Sequence, residues 1–87
     1  MAKIKVIWSN RAKKRLYEIL EFIIKTSKSK TGAGIFFRQI KSRINDLKDD
    51  PDSGFETNSE SVKGIQIGNY ILLYESENDR IFIHTLS

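Results

Sequence analysis

Apolar residues in the first half of the chain recur at helical spacing, and those in the second half fall into short β-rich runs. Ala12, Leu16, Ile19, Leu20 and Ile23 stand at i, i+4, i+7, i+8 and i+11, with Phe22 beside them. That is one stripe of an amphipathic helix. Ser9 precedes it at the N-cap position, where its hydroxyl can take a free amide of the first turn. A second stripe follows in Phe36, Phe37, Ile40, Ile44 and Leu47, ending ahead of the single proline, Pro51, which disfavours helix in the residue before it. Between the stripes SKSKTGAG (27–34) reads as a turn, so the two helices should form an antiparallel hairpin.

The remaining pattern is that of strands. KIKVIW (3–8) is a loosely alternating, β-rich opening. DDPDSGFETNSES (49–61) is a polar, acidic loop. VKGIQI (62–67) leads through Gly68-Asn69, a dipeptide suited to a tight hairpin turn, into YILLYE (70–75). The turn Ser76-Glu77-Asn78-Asp79 then leads into RIFIHTL (80–86). The order is β-α-α-β-β-β. It predicts an α+β fold in which a helical hairpin covers one face of an antiparallel sheet. Strict alternation would put Phe82, His84 and Leu86 on one sheet face and Ile81, Ile83 and Thr85 on the other. Tyr70, Leu72 and Tyr74 share a face and read as core packing.

With 87 residues, the chain is expected to form one domain spanning 1–87 around one modest core. Hydrophobic residues at 39% and charged residues at 30% fit a soluble globular protein. No apolar run approaches the ~20 residues that span a bilayer, and residues 1–8 lack the marks of a signal peptide. Cytoplasmic location without membrane association is the resulting expectation. The charge is divided: residues 1–48 hold 13 Lys/Arg against 3 Asp/Glu, residues 49–87 hold 2 against 8, and +10 with −6 gives the overall +4. A basic helical half can face an anionic partner, or can simply be solvated.

Candidate chemistry is sparse. There is no cysteine and one histidine, His84, so common metal and triad arrangements lack parts. KTGAG (30–34) lacks the order of a phosphate loop. The acidic run from Asp50 does not follow the calcium-loop spacing. No metal or cofactor is expected. His84 reads as a partly buried structural residue, or else as a contact or proton-transfer group at the sheet edge. Arg11, Lys13, Lys14 and Arg15 crowd the opening turns of the first helix against its dipole, at some tenths of a kcal/mol each.

The layout as a whole resembles the RelE/ParE superfamily of toxins from bacterial type II toxin–antitoxin pairs. The likeness is carried by VIWSNRA (6–12), by the apolar pattern of 12–23, by FFRQIKSRINDLKDDP (36–51), by GIQIGNYILLYE (64–75) and by IFIHTL (81–86). No single motif is specific; their order and spacing carry the resemblance over nearly the whole chain, and to ParE-like members more than RelE-like ones.

That resemblance implies a small cytosolic toxin neutralised by a cognate antitoxin, which wraps the helical hairpin and sheet as extended chain and helix. Charge and helical position nominate Arg11, Lys14, Arg15, Arg38, Lys41 and Arg43 for the antitoxin. His84 and Thr85 sit where the family's tail begins and are the candidates for target contact. ParE-like members inhibit DNA gyrase by protein contact and would meet DNA only through the antitoxin. RelE-like members cleave mRNA on the ribosome; Lys63, Arg80 and His84 are the basic or imidazole groups beyond the helices that could serve such an endoribonuclease. Against that alternative, Ile71 stands where RelE-like members carry Arg, and Gln66 lies on a strand that is lysine-rich in those nucleases. Both branches usually continue into an Arg-bearing tail, whereas the given sequence stops at Ser87. Truncation, an inactive relative that only binds antitoxin, and a target needing no basic tail are the alternatives this raises.

Overall fold

A computed structural model describes residues 4–87. Lys3, placed above at the start of the first strand, lies outside the described residues. The elements are β1 (Lys5–Trp8), α1 (Asn10–Ser27), α2 (Lys30–Asp49), β2 (Phe55–Glu56), β3 (Lys63–Ile67), β4 (Tyr70–Glu77) and β5 (Arg80–Leu86). They form two helices on a five-stranded sheet of order β1-β5-β4-β3-β2. This is the α+β architecture the apolar pattern predicts, with two refinements. The two-residue β2 pairs with the far side of β3. The sheet is mixed rather than antiparallel, because β1 runs parallel to β5. A parallel neighbour needs a long crossover, and α1 through β4 supply it.

Local chemistry fixes the helix ends. Ser9 caps α1, its Oγ accepting from Ala12 N at 2.9 Å. Lys28 closes α1 in the left-handed conformation, and Ser29 then caps α2 by accepting from Thr31 N at 3.1 Å. The link between helices is therefore Lys28-Ser29 alone, not the whole of 27–34. Gly32 and Gly34 lie inside α2. At Gly32 a Cβ would stand 3.2 Å from Ile23 Cγ2, so the glycine permits close helix–helix approach where its propensity argued for a turn. The second hairpin turn is also tighter than 76–79: β4 runs to Glu77, and Asn78 takes a positive φ of 52°. Gly68 does the same at the first hairpin, with φ 59°.

The core lies between the helices and one sheet face. It joins Ala12, Leu16 and Ile19 of α1, Phe36, Ile40, Ile44 and Leu47 of α2, and Ile65, Ile67, Leu72, Tyr74, Ile81, Ile83 and Leu86 of the sheet. Each large member contributes about 1.5–3 kcal/mol by leaving water. Tyr70 packs edge-on against Phe36 with ring centroids 5.4 Å apart. Two aromatic residues of the predicted stripes stay out of this core: Phe22 and Phe37 are both exposed.

Strict alternation fails once, in β5. Leu73 pairs with Thr85 but Tyr74 pairs with Ile83, leaving His84 as the extra residue of a β-bulge. A bulge flips the parity of everything beyond it. Leu86 consequently joins Ile81 and Ile83 in the core rather than siding with Phe82 and His84. Ser9 secures this kink from outside the sheet, donating from Oγ to the His84 carbonyl at 2.7 Å.

Candidate functional site

The nominated basic residues fall into separate places. Lys41 lines a groove of about 610 Å³ formed by β1, α1 and α2. Its walls include Val6, Trp8, Leu16, Tyr17, Phe37, Ile40 and Ile44, and Lys13, Lys41 and Lys48 supply its cationic groups. Helical spacing explains the lining. Lys13 and Tyr17 are four apart on α1, and Phe37, Lys41, Asn45 and Lys48 follow one side of α2. Lys41 Nζ sits 5.3 Å from the Phe37 ring centroid, a cation–π distance.

The groove lies beside the outer edge of β1, on which no strand pairs among the described residues. Lys5 N donates to Asp79 O at 2.8 Å and Ser9 N to Ile83 O at 3.0 Å, both toward β5. The intervening Val6 and Trp8 therefore turn their backbone groups outward, as alternate residues of a strand do. An extended segment could add to β1 there while its side chains enter the groove.

Arg11, Lys14 and Arg15 lie elsewhere, lining a second hollow of about 510 Å³ with Glu18, Leu73, Thr85, Leu86 and Ser87. Arg15 Nε donates to Leu86 O at 3.3 Å. The structure thus brings three antitoxin candidates together with Thr85, a target candidate, and parts them from Lys41. Arg43 lines a third hollow with Gln39 and Gln66, and Arg38 is simply exposed on α2.

The three candidates for an endoribonuclease do not converge. Arg80 and His84 share a hollow of about 270 Å³ on the outer sheet face with Ile7, Glu75, Glu77 and Phe82. Lys63 pairs with Tyr74, which puts it on the helix-facing parity of the sheet. His84 instead has Glu75 as its neighbour, with Nε2 3.4 Å from Oε1. The alignment falls short of a hydrogen bond and leaves Nε2 without a partner among the described residues. Ser61 Oγ donates to the same Glu75 oxygen at 3.0 Å. Phe82 meets the imidazole edge-on, centroids 5.1 Å apart.

Sequence reasoning missed Trp8, Lys13, Tyr17 and Lys48 of the groove, and Glu75 beside His84. The helical spacing of the first set was readable. That α1 and α2 turn those sides toward β1 was not. Among the described residues no group of three His, Cys, Asp or Glu side chains could hold a metal ion. No described helix is long and apolar enough to cross a membrane.

Comparison with known proteins follows the same lines. A search of curated protein sequences finds no match. The fold is similar to a solved structure described as the chromosomal ParDE TA system from P. aeruginosa, with TM-score 0.79, 12% identity, and coverage of 97% of this chain and 94% of that one. It also resembles part of TrmO from Pseudomonas aeruginosa in two structures, with TM-scores of 0.53 and 0.54 at 16% identity. There it covers 100% and 98% of this chain but only 36% and 33% of TrmO, so that likeness concerns fold alone. The family model of the ParE toxin of the type II toxin–antitoxin system parDE matches residues 6–87. This chain belongs to the ParE toxin family.

Proposed function

We propose that the protein is a cytoplasmic toxin that inhibits DNA gyrase by protein contact and is neutralised by a cognate antitoxin seated in the groove beside β1. Family membership supports the gyrase reading. The observation that carries the antitoxin reading is the pairing of an apolar, lysine-bearing groove with an open strand edge. An antitoxin segment that adds a strand to β1 would place apolar side chains against Trp8, Tyr17 and Phe37. Its carboxylates would meet Lys13, Lys41 and Lys48. DNA would be reached only through the antitoxin, and no cofactor is needed.

Induced expression in a bacterium, with separate pulse labels for DNA and protein synthesis, tests the target. DNA synthesis should fall first, with translation intact. Early loss of translation would instead favour the endoribonuclease reading, for which the shared hollow of Arg80, His84 and Glu75 is the supporting observation. Co-expressed antitoxin should restore growth, and Lys41→Glu should weaken that rescue. Undiminished rescue would remove the groove as the antitoxin seat.

A further inference from the structure

α1 divides its cations between two sides. Lys13 and Tyr17 face the groove, whereas Arg11, Lys14 and Arg15 face the hollow at the end of β5, and the two cavities share no lining residue. Ala12 and Ile19 are buried in the core between them. One helix therefore presents two independent recognition surfaces.

The second surface is held against local stability. The first turn of α1 contains no acidic residue, so its cations oppose the helix dipole uncompensated. Among the described residues, Arg11 and Lys14 have no carboxylate partner within ion-pair distance, and Arg15 reaches only Glu18, at 3.9 Å. The setting is nevertheless anchored to the sheet. Ser9 ties the start of the helix to the β5 bulge, and Arg15 is tied to Leu86 O.

We propose that this hollow is where the toxin grips its target, through an acidic segment of the target protein. The proposal rests on the toxin reading above and adds the surface and the chemistry it selects. Glu18 shares the hollow and offsets Arg15, which leaves the Arg11 guanidinium and Lys14 ammonium to complement carboxylates, and an arginine fork matches a carboxylate in two parallel hydrogen bonds. Leu73, half-buried at the edge of the hollow, offers an apolar seat for a neighbouring side chain. Among the described residues no aromatic one lines the hollow, so exposed nucleobases would find nothing there to stack on. Antitoxin and target would thus occupy different sides of α1.

The test is Arg11→Glu with Lys14→Glu, with Lys25→Glu, at the far end of α1, as the charge control. Reversing charge near the helix N-terminus favours the dipole, so the double variant should melt no lower than wild type. It should still co-purify with antitoxin, yet allow growth on induction; the control should arrest growth like wild type. A double variant as toxic as wild type, or one that loses antitoxin instead, would overturn the proposal while leaving the toxin reading intact. Growth with wild type itself would overturn the toxin reading. A titration independent of toxicity then decides the surface, following backbone amides as a synthetic peptide of alternating Glu and Leu, or a short duplex DNA, is added. The peptide should shift Arg11, Lys14, Arg15 and Thr85, fading with salt, and the double variant should bind it about tenfold or more weakly. Shifts confined to the groove, or stronger with the duplex, would overturn the proposal.

Discussion

The two faces of the sheet are made by the same strands and obey different constraints. Beneath the helices, Leu72, Tyr74, Ile81 and Ile83 are completely buried. On the outer face Ile7 and Phe82 keep 37% and 38% of their surface, and Glu75, Glu77, Arg80 and His84 gather around them. Volume and satisfied polarity decide what the covered face tolerates. Its fully buried phenol is satisfied, Tyr74 donating to Pro51 O at 2.8 Å and accepting from Gly54 N at 3.0 Å. The outer face is under less of both demands, leaving even the His84 Nε2 atom without a hydrogen bond, and can carry charge. Only at the β5 bulge does the chain exchange one regime for the other, and it does so between His84 and Leu86.

The contrast breaks most visibly in the core. Ile40→Ala should cost about 2–5 kcal/mol, which lowers the melting temperature of a domain this size by about 4–8 °C per kcal/mol. An unchanged melting temperature would contradict the assigned helix face. Tyr74→Phe comes next, at about 1–3 kcal/mol, because it removes the donor to Pro51 O and the acceptor for Gly54 N. It also has a pH signature. Burial pushes the Tyr74 hydroxyl above its ordinary 10.0, more than the Gly54 hydrogen bond pulls it down. The folded state then holds this proton more tightly than the unfolded chain. Stability should be intact below pH 10 and fall as pH rises from there through the folded value, by up to about 1.4 kcal/mol per unit. Melting curves on either side of pH 10 should show that loss reduced in Tyr74→Phe.

Ser9→Ala should cost about 1 kcal/mol, typical of a lost N-cap, read as a lower urea midpoint. It should also loosen the bulge, visible as faster amide exchange around His84. The smallest effect should come from the outer face itself. Phe82→Ser should stay within about 0.5 kcal/mol by urea unfolding. A loss as large as that of Ile40→Ala would mean that the outer face is load-sharing with the core and that the contrast is false.

Much of this was legible in the chain. The stripes of Ala12–Ile23 and Phe36–Leu47 and the Tyr70, Leu72, Tyr74 face carry the periodicity of their burial, because helix and strand geometry dictate which residues share a side. The Ser9 cap and the Gly68-Asn69 turn were equally local. Non-local features were not. Nothing near Lys5–Trp8 says that β1 lies parallel beside β5, and nothing near His84 says that a bulge reverses the alternation there. Gly32 was misleading, since its small size serves a contact with Ile23 on another helix.

The same division holds for the site. Sequence by itself determined that the helical half is basic, that a cysteine-free chain with one imidazole has little material for metal or triad chemistry, and that its motifs follow the ParE order. Charge and residue type are properties of the chain whatever its shape. Only the tertiary structure decided that Lys41 shares a groove with Lys13 and Lys48 beside an open edge, that Arg11, Lys14 and Arg15 meet Thr85 instead, and that Lys63 is parted from Arg80 and His84. Those outcomes depend on crossover, register and a single bulge, and each is settled by how far-separated segments bury their apolar faces together.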